Sequence, residues 1–284
     1  YFLTRVQLVN IQIQETDDVP MVFEVINDRG ERLRPYEVLK GKLLGQIDKE
    51  EIDTYYDIWQ DCIHKIQEID DDEVDNFFRF YFRSRYVETT NEWREFDGEY
   101  HKTIYEDKWD RKIHFKHNVH KVKDFIKNDL LYYSHVYIRI LKETKRYLKT
   151  PWIYFNALND QDRQSVLLLS ALSVNDAYEI EKLNLVSKLF DRHFSILQLT
   201  NSYNNNDFTE TIMYLNSAIR EKDYFEIQKI FDDRLLADLS ETKGIQVTEP
   251  FEWTYFSAAS RLNLPYKFIK YFFARVEHFI AHEM

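Results

Sequence analysis

One cysteine, five glycines and five prolines are all that 284 residues contain of those types. The lone Cys62 excludes an intramolecular disulfide and any cysteine-based zinc centre, and it suits a reducing cytoplasm. So little glycine and proline leaves few places for the tight turns that hairpins need. The expected fold is therefore mainly α. No run approaches the roughly 18 apolar residues that cross a bilayer, and no basic-then-apolar secretory leader is present. Positive charge is also in short supply, with 38 Lys and Arg against 49 Asp and Glu and a formal charge of −11. That balance argues against a generally basic nucleic-acid binder, while leaving room for a local basic groove.

Aromatic residues, by contrast, make up 16% of the chain, mostly Tyr and Phe. Their spacing is helical over long stretches. Ile52, Tyr55, Tyr56, Trp59, Ile63 and Ile66 recur at three and four, which predicts a helix over 50–69. Further helices are expected at 73–87, 113–148 (one long helix or a broken pair), 160–174, 178–200, 207–220, 223–238 and 265–281. The polar segment 88–110 reads as a loop or a seam, and 201–207 and 240–250 read as connecting loops. Near the start, "RVQLVNIQIQ" at 5–14 is the best strand candidate. "ETDDVP" follows with the acids and proline of a helix start, and an apolar run leads into Asn27-Asp28-Arg29-Gly30. Pro35 then opens the next helix, so the order is strand, helix, tight turn, helix.

General chemical motifs do not assemble a complete active site. His114, His117 and His120 are spaced three apart, but His120 drifts off the shared helix face and no HExxH pattern supports a metal. "IDDDEVD" at 69–75 holds five acids without the glycine or ligand alternation of a calcium loop, so it reads as a solvated helix start. Cys62 reads as a buried, inert thiol. There is no GxSxG and no Walker-type loop. The Asn27–Gly30 turn has two readings. Gly30 could let backbone N–H groups face an anion, with Arg29 against a phosphate and Asn27 fixing a base or ribose. Equally, Asn27 and Gly30 could cap a helix end, with Arg29 paired to Glu37.

"VFEVINDRGERLRPYEVLKGKLL" resembles the second motif of the N-terminal domain of unknown function of GmrSD-type restriction enzymes, F-x-x-[IL]-N-x-x-G-x-x-L-x-x-x-[DE]-[LV]-[LI]-K. The matching residues are Phe23, Ile26, Asn27, Gly30, Leu33, Glu37, Val38, Leu39 and Lys40, and the likeness covers about residues 5–47. The aromatic helical region after it, ending in "YFFARVEHFI", is similar to the helical segment of that family. The resemblance implies the remnant of a ParB/sulfiredoxin-like α+β nucleotide-binding domain over 1–48, followed by a multi-helix bundle over 49–284. It implies a bacterial phage-defence role in NTP-dependent restriction of modified DNA, with GTP or ATP and Mg²⁺ as cofactors. A nuclease domain of the same protein would be the partner. Asn27, Arg29 and Gly30 would then contact nucleotide, with Glu37 and Lys40 supporting them. The family's Asp-Gly-Gln-Gln-Arg motif and its His-Asn-His nuclease are absent, so the expectation is an internal piece of a longer protein, inactive alone.

DNA contacts are expected from the locally basic stretches at 110–127 and 138–149, through Arg111, Lys112, Lys116, Lys121 and Lys123. The alternative reading is a non-enzymatic helical scaffold that recognises another protein through its aromatic side chains.

Overall fold

The computed structural model describes residues 33–283 except 147–149, 258, 261 and 262. The strand expected at 5–14, the helix leading out of Pro20 and the Asn27–Gly30 turn lie outside the described residues. Within them the chain is helix after helix, with no strand. In order these are α1 (Pro35–Leu44), α2 (Ile52–Gln67), α3 (Glu73–Tyr86), α4 (Thr90–Glu95), α5 (Tyr100–Thr103) and α6 (Asp107–Ile113). Then come α7 (Val119–Asp124), a π-helical segment (Phe125–Leu130) and α8 (Leu131–Lys145), which run on as one rod. After it follow α9 (Pro151–Leu158), α10 (Gln164–Ser170), α11 (Glu179–Leu199), α12 (Asn205–Ala218) and α13 (Tyr224–Lys243). A 3₁₀ turn (Trp253–Phe256) precedes the last helix, α14 (Tyr266–Glu283). The mainly α expectation holds. No described helix is long and apolar enough to cross a membrane.

The core is built around α3. Phe77, Phe78, Tyr81 and Phe82 are buried on a helix whose acids gather at its first turn and whose Arg83 and Arg85 gather at its last. That polarity complements the helix dipole. Phe78 stacks on Trp59 of α2 at 5.4 Å and on Tyr100 of α5 at 5.9 Å. Phe82 reaches Phe96, Tyr100, Phe115 and Phe125, and Phe77 meets Tyr137 of α8 at 5.5 Å. On the other side α3 packs against α10, whose every residue is buried. Four leucines and valines in a row at 166–169 fit a helix surrounded on all sides.

Both ends of α3 are tied from a distance. At its C-terminus Asn216 donates to the carbonyls of Arg83 and Val87, both at 3.0 Å, and Arg220 donates through Nε to the Ser84 carbonyl at 2.7 Å. A cation and an amide thus occupy the acceptors that a helix end leaves open. The N-terminal tie, through Arg34, belongs to the candidate site.

Four boundaries differ from expectation, each for a local reason. The helix expected over 160–174 is shorter, Gln164–Ser170, and follows a left-handed Asp160 (φ 55°). The segment 88–110 is not a loop, because Trp93, Phe96, Tyr100 and Trp109 bury themselves and fold it into α4, α5 and α6. The helix expected from 113 begins instead at Val119. His114 and His117 both take left-handed backbone conformations, φ 61° and 50°, and the Asn118 side chain accepts from the Lys121 N–H at 3.1 Å to start α7. A stretch placed between helices by Pro151 is itself the first turn of α9, where proline's missing N–H costs nothing. The helices expected over 50–69, 73–87, 178–200, 207–220, 223–238 and 265–281 are present with ends shifted by a few residues. Helix α1 buries Leu39, Leu43 and Leu44 in the same core as the helices after it.

Replacing the fully buried Phe78 by Ala should remove about 3–5 kcal/mol of stability, read from the urea midpoint. A loss below about 1 kcal/mol would mean that the stacked column around α3 is not what holds the fold.

Candidate functional site

The described part of the turn motif begins at Leu33, and its next residue, Arg34, anchors the chain to the helical body. The Arg34 guanidinium pairs with Asp71, with Asp72 at 2.7 Å and with Asp75 at 3.5 Å, and Nη1 also donates to the Asp71 carbonyl at 3.1 Å. Burial disfavours the charged guanidinium, yet its hydrogen bond to Asp72 and the field of Asp71 and Asp75 prevail and raise its pKa. The acids of 70–75 are therefore not simply a solvated helix start, as their composition suggested. Gathered at the N-terminus of α3, they form a cradle for one arginine, where the helix dipole already favours negative charge.

Asp75 is the buried member. It accepts the Tyr36 backbone N–H at 3.2 Å and the Tyr100 hydroxyl at 2.6 Å. The Tyr100 pKa lies well above its ordinary value because of burial and the neighbouring Asp75, so that hydroxyl stays a donor. Gln67 adds bonds to the Tyr36 hydroxyl at 3.2 Å and to Asp71 at 2.7 Å. Residues 34–36 are thus bonded to α2 and to the start of α3, and through Asp75 they are linked to α5.

Of the residues expected to support a nucleotide, Glu37 and Lys40 are described. Glu37 accepts the Arg34 N–H at 2.8 Å, which satisfies one of the donors exposed at the start of α1. Lys40 lies half-buried with Nζ 5.4 Å above the Tyr56 ring. Both have local structural work. Asn27, Arg29 and Gly30 lie outside the described residues.

The residues expected to contact DNA fall into separate groups, each beside acids. Lys112 bonds to Glu92 at 3.1 Å and lies over the Trp109 ring at 5.1 Å, and Lys116 bonds to Asp107 at 2.9 Å. Arg111 donates through Nε to the Asp107 carbonyl at 3.0 Å. Lys116 and Arg111 together hold the Asp107 carboxyl below its usual range, the Lys116 hydrogen bond contributing most. On α7, Lys121 sits 3.4 Å from Asp124, and Lys123 pairs with Glu51 at the start of α2. Arg111, Lys112 and Lys116 therefore cluster with α4 and α6, and Lys123 leans on α2.

Other polar groupings escaped the sequence reading because their members lie far apart in the chain. The π segment carries Asp129 toward Tyr81 and Arg85, and burial raises its carboxyl against the pull of Lys121 and Arg85. No residue pattern announces a π segment, although such segments often mark functional positions. Between α11, α12 and α13, Asp238 accepts from His193 Nε2 and from the Thr211 hydroxyl, each at 2.7 Å, and faces Arg234 Nε at 2.8 Å. The cavity beside it measures about 40 Å³, which has room for water and not for a substrate. His193 and Thr211 both point at the carboxylate instead of at each other, so the arrangement is no nucleophile relay. Burial lowers the His193 pKa despite Asp238, which keeps the imidazole neutral and the Asp238–Arg234 pair balanced.

Cys62 is buried, and burial pushes its thiol up, as an inert core cysteine requires. The histidines at 114 and 117 sit in the left-handed turn before α7, so no three-histidine helix face exists. Among the described residues no cluster of His, Cys, Asp and Glu could hold a metal.

No family model matches the chain, and comparison with curated proteins and with solved structures finds no match either.

One further group ties the last helix down. Asp191 of α11 accepts from the Tyr271 hydroxyl and from Arg275 Nη1 at 2.7 Å, and Arg275 is layered on Trp152 at 4.4 Å and Phe155 at 4.5 Å. Burial pushes the Asp191 carboxyl up to about 6, with Arg275 opposing. The folded chain then takes up a proton at higher pH than the unfolded chain, so this group adds stability as pH falls through 6. Between pH 7 and pH 5 the gain should be about 1 kcal/mol in urea unfolding, and Asp191→Asn should lack it. Equal pH dependence in both proteins would show that Asp191 does not titrate there.

Proposed function

We propose that this chain is the coupling region of an NTP-dependent, GmrSD-like restriction protein that acts on modified DNA. Residues 27–30 would form one wall of its nucleotide site, and GTP or ATP with Mg²⁺ would complete it. A nuclease domain of the same protein would receive the signal through the helical body. The observation that carries this reading is the Arg34 anchor. Arg34, four residues after Gly30 in the sequence, is held by the acid cradle of α3, the helix around which the core is packed. A backbone shift that reached Arg34 and Tyr36 would act on the start of α3 directly, because Arg34 is bonded to Asp72 and Tyr36 to Asp75. Glu37 would support the site indirectly, by fixing the start of α1.

The DNA part of the proposal needs exchange of partners. Lys116, Lys121 and Lys123 would trade exposed carboxylates for phosphates, a trade of low cost because exposed pairs contribute about 0–1 kcal/mol each, whereas Lys112 would have to leave the largely buried Glu92. The second reading, a scaffold that recognises protein, is favoured by a different observation. Phe225, Phe251, Trp253, Phe273 and Phe279 all stand out into solvent.

The test is GTP and ATP hydrolysis by the full-length protein with Asn27→Ala plus Gly30→Val. Turnover should fall at least tenfold while the fold, read by circular dichroism, is retained. In the same assay Arg34→Ala should keep basal turnover within about twofold and lose its stimulation by modified DNA. Unchanged turnover in the turn variant would remove the nucleotide reading and leave the scaffold.

A further inference from the structure

Helix α14 is apolar on two sides, and only one of them is packed. Its inner side carries Phe268 and Tyr271, both buried, with Arg275 locked against Asp191 and Trp152. Its outer side carries Tyr266, Ile269, Phe273, Val276 and Ile280, spaced three, four, three and four apart. That is an unbroken heptad seam, the pattern by which one helix meets another in a coiled coil. Tyr266 is 69% exposed, Phe273 65%, Ile280 55% and Val276 40%. An apolar helix face of this length has no reason to stand in water, and faces larger than a few hundred Å² mark interaction sites.

The flanks of the seam say what fits it. Lys270 and Glu277 lie one heptad apart on the same flank, next to Ile269 and Val276. Neither forms an ion pair among the described residues; Lys270 only overlies the Tyr266 ring at 4.5 Å. An antiparallel copy of the same helix answers both charges at once. With Phe273 opposite Val276 of the second copy, Ile269 falls opposite Ile280, and Lys270 of each helix comes beside Glu277 of the other. The opposite flank then brings Phe272 beside Phe279, extending the apolar contact. A parallel copy would place like residues side by side and set Glu277 against apolar Phe272 and Lys270 against Pro265. We infer that α14 is a self-docking seam, on which a second copy of this chain packs antiparallel about a two-fold axis. The interface is isologous, so it closes at two subunits and does not propagate. Two such faces remove on the order of 1,000 Å² from water, the size at which specific interfaces begin. The inference is independent of the nucleotide reading, since no residue of the turn motif takes part.

Sedimentation velocity over a concentration series tests it. The wild-type chain should be a dimer that dissociates on dilution, and Phe273→Asp should be monomeric with unchanged helix content. Lys270→Glu alone and Glu277→Lys alone should each weaken the dimer at least tenfold, and the double exchange K270E/E277K should restore it. A wild-type chain that stays monomeric to about 100 μM overturns the proposal, whatever else occupies the face. So does a dimer that the single charge reversals leave untouched, or one that the double exchange fails to restore.

Discussion

Everything in this molecule leans on α3 being held at both ends. The helix begins with Asp72, Glu73 and Asp75 and with Asp70 and Asp71 just before it, an arrangement that self-repulsion alone would scatter. Arg34 answers it from one side, while the Tyr137 and Tyr100 hydroxyls bond Glu73 and Asp75 from the other. Its far end is closed by Asn216 and Arg220, contributed from more than a hundred residues downstream. Once its ends are fixed, the stacked rings of Phe77, Phe78, Tyr81 and Phe82 have a rigid axis to stand on, and α2, α5, α8 and α10 can pack against it. The aromatic core is therefore a consequence of an electrostatic placement as much as of hydrophobic burial.

The same placement explains why the short helices α4–α6 exist. Local sequence gives α4 a Thr89 cap, whose hydroxyl accepts from the Glu92 N–H at 3.2 Å, but helices of four to seven residues are far below the length that is stable alone. Phe96 meets Trp109 edge-on at 4.6 Å, and the Trp109 indole donates to Glu95 at 2.6 Å. Arg83 of α3 lies 4.2 Å above the Trp93 ring and donates to the Trp93 carbonyl. These contacts fold a segment whose composition is that of a loop. They also carry the chain round to the left-handed turn at His114 and His117, from which the long α7–α8 rod departs.

Much of this was legible from residue spacing. The long helices announce themselves by their apolar periodicity, because each buries one stripe and the stripe is local in the sequence. Segment 88–110 was not legible, since its four buried aromatics are held by α3 and by one another rather than by a periodic face. The π segment, the Asp238 cluster and the Asp191–Arg275 tie were equally hidden, because each joins residues tens of positions apart. For the candidate site the limit is different. The motif at 23–40 is visible only as a pattern of residue types, and Glu37 and Lys40 each have a local partner that the pattern does not announce. The pairing of Arg34 with the acid run at 70–75 was hidden for the same reason as the other ties, because its partners lie more than 35 residues apart in the chain.

Charge decides which surface is free to meet a macromolecule. Lys112, Lys116, Lys121 and Lys123 are already beside carboxylates, and displacing those carboxylates with phosphate would uncover Glu92, Asp107, Asp124 and Glu51 on a chain that carries −11 overall. The exchanges at the exposed Asp107, Asp124 and Glu51 are cheap, but the sum adds no net positive field, and it is the net field that draws a polyanion in and releases its counterions. DNA contact through these cations alone would therefore be weak, with few counterions released, and would need nucleotide binding or another domain to hold the DNA in place. The outer face of α14 faces no such obstacle. It is apolar, its two flanking charges are opposite and unspent, and its inner side is fixed by Arg275 between Asp191 and Trp152. A rigid helix with an exposed seam loses little entropy on docking, and that favours the outer face of α14 as a binding surface.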